Sequence, residues 1–152
     1  MTDVDSQLPR AAEDIHELLA LVTLDGLEVY ELRGRGIDRS DVDAFEENFQ
    51  IRAAVNLEPE QLKTRFMTTF FAEVGEYYVD LAARYVLSEP RSIPSALAIE
   101  FAEKVGIMAA YPFVREHVFN LASRLGHPIP VLGMILQGQM RLEPDVDAPP
   151  SD

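Results

Sequence analysis

The chain of 152 residues contains no cysteine. This absence excludes a disulfide framework and catalysis by a thiolate. Long apolar runs are also missing, since no stretch approaches the roughly 18 apolar residues that a membrane-spanning helix needs. The first ten residues carry Asp3 and Asp5 and lack the basic start and apolar centre of a signal peptide. We therefore expect a cytoplasmic protein that does not insert into a membrane.

Basic residues are scarce, with 13 Lys and Arg against 26 Asp and Glu, and the formal net charge is −13. Such a chain is poorly suited to nucleic acid, because non-specific binding depends on basic groups that displace counterions. The acidic residues concentrate in residues 36–47 and in the tail after Arg141. These segments are either simply solvated or form acidic surfaces for basic or unfolded partners, and the composition leaves both interpretations open.

Motifs that carry catalysis or bind metal are scarce as well. The sequence has no dinucleotide-binding glycine loop, no Walker loop and no Gly-x-Ser-x-Gly motif. His16, His117 and His127 lack the paired spacing of metal ligands. Arg115, Glu116 and His117 are adjacent on a predicted helix, so their side chains point in different directions and do not converge on one substrate. We expect no enzyme, no cofactor and no metal.

What is present is a series of four strands followed by a helix. Alternating apolar positions predict strands over residues 27–33, 49–57, 62–72 and 77–86. Short connections between consecutive strands indicate an antiparallel meander. The fold class is therefore α+β, a four-stranded antiparallel sheet packed on a long C-terminal helix. We predict one domain over residues 11–142 between disordered acidic segments at residues 1–10 and 143–152.

Helical spacing of apolar residues predicts two helices. The first covers residues 11–23 and stops at Asp25-Gly26. The second covers residues 96–124, where Gly106 and Pro112 should interrupt or kink it.

A sheet covered by one helix would leave its other face wet. Both faces of the predicted sheet carry apolar residues, and those on the second face include Met67, Phe71, Tyr78 and Val86. This pattern favours burial of the second face against another subunit or a bound chain.

One stretch of the sequence resembles the SecB family of export chaperones. Tyr111-Pro112-Phe113-Val114-Arg115-Glu116 matches the family's aromatic-Pro-aromatic-x-Arg-Glu signature. Arg124, Gly126 and then Pro128-Ile129-Pro130-Val131-Leu132 are similar to its Arg-Gly-x-x-Pro-x-Leu exit. The resemblance covers roughly residues 27–135, and it gives the motif residues a structural role.

The resemblance implies dimers that pair through an edge strand and the helices, and tetramers made of two dimers. Hydrophobic grooves between the sheet and a helix-connecting loop, here residues 125–136, would hold unfolded polypeptides without ATP. Candidate client-binding residues in the loop are Pro128, Ile129, Val131, Leu132, Ile135 and Leu136. Candidate aromatic floor residues in the strands are Phe66, Phe70, Tyr77 and Tyr85, which could equally be plain core.

Two departures from the family bear on the partner. The family closes with an amphipathic helix that helps contact the SecA translocase. Here Pro144, Pro149 and Pro150 follow the loop and cannot continue a regular helix. The predicted N-terminal helix is also unusual for export members. Both departures suit SecB-like proteins that protect an aggregation-prone antitoxin, so SecA and an antitoxin stay open as partners.

A second class of function uses the same predicted groove. A small α+β carrier could bind a lipid or another apolar ligand there. A monomer with a closed cavity would favour the carrier. A tetramer that suppresses aggregation without nucleotide would favour the chaperone.

Overall fold

The computed structural model describes residues 8–133 of the chain. Of the two predicted acidic segments, only residues 8–10 fall inside this range, and the predicted extent of the domain stays a prediction. The helices and strands in chain order are α1 (Ile15–Leu21), β1 (Val22–Gly36), β2 (Asn48–Glu58), β3 (Gln61–Phe71), β4 (Gly75–Leu87), α2 (Ser95–Phe101), a π-helical turn (Ala102–Gly106) and α3 (Ile107–Arg124). The predicted class is confirmed: a four-stranded antiparallel sheet carries the long helix on one face.

The strand order in the sheet is β1-β4-β3-β2. Strands β2, β3 and β4 form the predicted meander, but β1 pairs with β4 and not with β2, so the prediction was wrong for the first strand. The connection over residues 37–47 crosses from one edge of the sheet to the other. It is fixed on the way by a hydrogen bond from the Ile37 amide to the Val74 carbonyl at 2.9 Å and from Arg39 Nε to the Ala72 carbonyl at 3.0 Å.

Strand β1 is longer at both ends than the sequence predicts. It passes through Asp25-Gly26 because the register shifts there, and the Asp25 carboxylate accepts a hydrogen bond from Arg84 Nε at 2.9 Å. It continues through Gly34 because the end of α3 packs directly on this strand: a Cβ on Gly34 would lie 3.1 Å from the Leu125 side chain. The predicted N-terminal helix is confirmed but shorter, and Asp14 caps it by accepting from the Glu17 amide.

The long helix rests on the inner face of the sheet over two buried clusters. The cluster under α3 is built around Phe66, Phe70, Tyr77, Leu81, Val114 and Val118. The cluster under α1 and α2 is built around Leu18, Leu62, Tyr85 and Phe101. The π-helical turn lies between α2 and α3, so the predicted interruption at Gly106 is confirmed. Pro112 lies inside α3 without ending it.

The outer face of the sheet is covered mainly by ion pairs. Met67, Phe71 and Tyr78 lie there half-buried, as their register requires. Between them Arg65 pairs with Asp80 at 2.7 Å, and Lys63 with Glu28 at 2.8 Å. These charges make much of the outer face suited to solvent. Val86 on the same face is 39 % exposed, and burial of this face against a partner stays a prediction.

Candidate binding groove

An open groove runs between the outer side of α3 and the chain that follows it. Its volume is about 430 Å³. It is lined by Pro112, Arg115, Glu116, Phe119, Ile129, Pro130, Val131 and Leu132. The four helix residues among these follow the spacing of one helical face, and the four loop residues form the opposite wall. The groove therefore joins the sequence motif on α3 to the proline-rich segment.

The chain reverses direction at the end of α3 because of a glycine cap. Gly126 has φ +69°, a left-handed conformation that favours glycine. The His127 amide then donates to the Ala122 carbonyl at 2.9 Å, which closes the last turn. Pro128 and Pro130 keep the following residues out of a helix. Residues 127–133, which we call the wall loop, run back along α3 as a result.

Two tyrosines hold the wall loop at its ends. The Tyr77 hydroxyl and His127 Nδ1 share a hydrogen bond at 2.6 Å. The Tyr111 hydroxyl donates to the Gly133 carbonyl. Burial raises the pKa of both tyrosines, and the Glu47 charge raises that of Tyr77 further while the Arg115 charge partly offsets the shift at Tyr111. Both hydroxyls thus keep their protons near neutral pH.

The surface between these tethers is apolar and accessible. Val131 is 89 % exposed and Ile129 is 43 % exposed. Across the groove, the Phe119 side chain on α3 is 49 % exposed. Arg115 and Glu116 add one charge of each sign on the helix side, and the Arg115 guanidinium lies 5.9 Å from the centre of the Tyr111 ring. The arrangement can bind an apolar segment, and among the described lining residues the charged groups lie on the helix wall.

The structure places the predicted loop residues in two environments. Pro128, Ile129 and Val131 are exposed, and the last two line the groove. Leu132 lines the groove but is largely buried in the cluster under α3. Ile135 and Leu136 lie outside the described residues.

The predicted aromatic floor lies elsewhere. Phe66, Phe70, Tyr77 and Tyr85 are all buried beneath the helices. The Tyr85 ring packs edge-on against Phe101 with centroids 5.0 Å apart, and burial raises the pKa of Tyr85 to about 12. The surface of α3 forms the side of the groove that these rings were expected to form. Direct client binding by the four rings stays a prediction, and of the four only Tyr77 makes a hydrogen bond to the wall loop.

Sequence reasoning missed Phe119 as a groove residue, and it gave Pro112, Arg115 and Glu116 only a structural role. The signal was present: positions 112, 115, 116 and 119 are spaced by three and four, so they share one stripe of the helix.

The alternative function as a carrier of an apolar ligand predicts a closed cavity, whereas this groove is open along the exposed Val131 side chain. Within the described residues, no helix is both long and apolar enough to cross a bilayer.

Comparison with known proteins agrees with this architecture. No protein-family model matches the sequence. The M. tuberculosis protein Rv1957, described as a SecB-like chaperone and solved with a ChAD peptide from the HigA1 antitoxin, superposes with a TM-score of 0.67 at 17 % identity. The superposition covers 80 % of this chain and 96 % of that one, which shows a shared fold. The SecB-like chaperone SmegB of Mycolicibacterium smegmatis is 32 % identical over 136 residues, 90 % of each chain. This chain therefore belongs to the SecB-like chaperone family.

Proposed function

We propose that this chaperone holds extended apolar segments of unfolded proteins in the groove between α3 and the wall loop, without ATP, cofactor or catalysis of its own. The observation that carries the proposal is the accessibility of Ile129 and Val131 opposite Phe119. An unfolded chain offers apolar side chains that a folded protein hides. Burying one large apolar side chain contributes roughly 1.5–3 kcal/mol, so a few contacts along the groove give useful affinity.

The composition of the wall favours tolerance of many client sequences. Pro128 and Pro130 carry no amide hydrogen, so that part of the wall offers few backbone donors to a client. Recognition then depends on apolar contact, which is non-directional. The acidic balance of the chain, with a formal net charge of −13, favours clients that carry basic residues beside their apolar ones.

The assembly we propose is a dimer through β1 that pairs again into a tetramer. Leu24, Val29 and Leu32 lie on the inner face of this edge strand, yet they are exposed because the helices do not cover that edge. An edge strand also has unpaired backbone groups that can bond to a second strand. A second copy of the chain bound along β1 would cover these apolar side chains and pair with the free backbone groups of the strand. Such an oligomer would present several grooves to one client and raise avidity.

An antitoxin is the dedicated client that we favour, and the cytoplasm is the compartment where chaperone and client would meet. The support is the related fold of Rv1957, which was solved with an antitoxin peptide. Delivery to SecA has less support, because Pro144, Pro149 and Pro150 stand where the family has its SecA-contacting helix and disfavour a regular helix there. Genes beside this one that encode a toxin and an antitoxin would strengthen the assignment.

The experiment measures mass in solution together with suppression of aggregation. A chemically denatured model protein is diluted into buffer with and without the chaperone, and no nucleotide is added. We expect an oligomer that suppresses light scattering. A monomer that leaves scattering unchanged would overturn both the chaperone proposal and the assembly. The double variant Val29→Asp, Leu32→Asp should reduce the mass, and an unchanged mass would exclude β1 as the interface.

A further inference from the structure

The His127 ring lies close to two glycines that are paired with each other in the sheet. Gly36 and Gly75 are register partners at the end of the β1–β4 ladder. A Cβ on Gly75 would lie 3.0 Å from the His127 ring, and a Cβ on Gly36 would lie 3.4 Å from it. A side chain at Gly75 would therefore crowd the ring and would also lie 2.7 Å from the Arg35 carbonyl oxygen, whereas one at Gly36 would make ordinary van der Waals contact with the ring. The glycines let the first residue of the wall loop lie directly on the sheet.

Tyr77 supplies the polar half of the same contact. Its ring is fully buried in the cluster under α3, two residues along β4 from Gly75. Its hydroxyl points out of the cluster to His127 Nδ1 at 2.6 Å, and the two rings lie 5.9 Å apart at a tilt of 60°. A rigid core side chain is thus bonded to the start of the wall loop.

We propose that Tyr77 and His127 are positioning residues for client binding: together they hold the wall loop against α3 and keep the groove formed before a client arrives. This inference rests on the proposed function of the groove. Tyr77 is buried and touches no client, so it acts through His127. The sequence-based prediction that Tyr77 contributes to client binding would then be met indirectly.

The reason lies in how few other contacts hold the loop. Between His127 and Leu132 the described chain offers exposed or half-buried side chains and two prolines. Leu132 and the Tyr111–Gly133 hydrogen bond hold the far end. Loss of the His127 contact would free the near end, and a client would then have to order the loop when it binds. We expect this cost to appear as faster dissociation and a roughly fivefold to tenfold weaker affinity.

The test uses the full chain and Tyr77→Phe, which keeps the ring in the core and removes only the hydroxyl. Hydrogen exchange is followed at the amide of His127, the wall-loop amide that donates to the Ala122 carbonyl at 2.9 Å, and affinity is measured with a labelled synthetic peptide rich in Leu, Val and Phe. We expect faster exchange in the wall loop, unchanged exchange in α3, and weaker peptide binding. Tyr78→Phe is the control, since it removes a hydroxyl from the next residue on the opposite face. It should change neither measurement.

A second pair of variants separates positioning from general stability. His127→Asn keeps a polar group near the position of Nδ1 and can still bond to Tyr77, whereas His127→Leu cannot. We expect Asn to restore most of the protection and affinity that Leu loses. Equal loss in both variants, or unchanged loop exchange in Tyr77→Phe, would overturn the inference. Loop exchange is read without a client, so absence of peptide binding by the unsubstituted chain would refute the proposed function separately.

Discussion

The Asp80 carboxylate accepts two hydrogen bonds from the Arg65 guanidinium, at 2.9 Å from Nε and 2.7 Å from the second nitrogen, on the outer face of the sheet. Asp80 is only 3 % exposed. The Tyr30 ring lies against the same guanidinium, 4.4 Å from its centroid. Strands β1, β3 and β4 are thereby joined by one charged group. The outer face owes part of its stability to a bidentate pair that is largely screened from water.

Removal of Asp80 is expected to be costly for this reason. Asp80→Ala leaves the Arg65 charge half-buried and unpaired, and we expect a loss of about 2–4 kcal/mol in the free energy of unfolding. The control is Glu100→Ala, which breaks the exposed Lys104–Glu100 pair one helical turn apart. That change should cost about 0.3–0.5 kcal/mol. Urea unfolding of the three proteins measures both values, and equal losses would contradict the special role of the outer-face pair.

Glu28, on the same face of the sheet, should make the free energy of unfolding depend on pH. Hydrogen bonds from Lys63 and Tyr30 lower the pKa of Glu28 to about 2 from 4.5, and the Lys63 and Arg84 charges add to this. Because the folded value lies below the unfolded one, the stabilisation is present above pH 4.5 and is lost as the pH falls toward 2. Glu28→Gln should therefore be less stable than the unsubstituted protein at pH 7, by about 1 kcal/mol.

This difference should shrink steadily as the unfolding experiment is repeated from pH 5 down to pH 3. At low pH the protonated glutamic acid and the glutamine make similar interactions. If the difference in the free energy of unfolding between the two proteins stays constant across this range, the charge of Glu28 does not contribute to stability.

The regular elements were predictable where burial imposes a period. Along β3 every second side chain from Leu62 to Phe70 is buried and its neighbours are half-buried. The alternation in the sequence therefore corresponds to the two faces of the sheet. The limits of β1 were not predictable in this way. Asp25-Gly26 and Gly34 ordinarily stop a strand, but here a register shift and the packed end of α3 allow it to continue.

Of the two sides of the groove, the sequence allowed only the proline-rich wall loop to be predicted. The proline-rich composition of residues 128–132 indicated an apolar wall, and that wall exists. The floor was expected at Phe66, Phe70, Tyr77 and Tyr85 from the family resemblance, but periodicity does not reveal which face of the sheet the helix covers. Contacts such as Tyr77–His127 join residues 50 positions apart, and no local pattern reports them.

In the π-helical turn, a glycine-to-alanine substitution should change stability in the direction opposite to the one that helix propensity predicts. Replacing glycine by alanine within an exposed helix usually stabilises it by about 1 kcal/mol. A Cβ on Gly106, however, would lie 2.9 Å from Thr64 Oγ1 and 3.1 Å from two further atoms of that side chain. We expect Gly106→Ala to lower the free energy of unfolding by about 1–3 kcal/mol.

Gly133→Ala is the control for this substitution, because no atom of the described residues lies within 4 Å of its would-be Cβ. It should change stability by less than about 0.5 kcal/mol. Thermal unfolding compares the two variants. Stabilisation by Gly106→Ala would mean that the helix lies farther from β3 than described.

Substitutions on the wall loop test the groove directly. Ile129→Asp and Val131→Asp place a charge where a client's apolar side chain would lie, while both positions are exposed in the free protein. Each should weaken binding of the apolar peptide about tenfold or more and leave the unfolding midpoint nearly unchanged. Val42→Asp introduces the same charge at an apolar residue about as exposed as Ile129, in the connection between β1 and β2 and away from the groove. It should bind the peptide normally.

Leu132→Asp separates the groove from the core beneath it. Leu132 lines the groove, but its side chain belongs to the buried cluster under α3. An unpaired carboxylate there would destabilise the fold as well as weaken binding. Titration of the labelled peptide, read beside thermal unfolding, should therefore show binding loss alone at positions 129 and 131 and both losses at 132. Unchanged peptide affinity in Ile129→Asp and Val131→Asp would show that clients bind elsewhere on the chaperone.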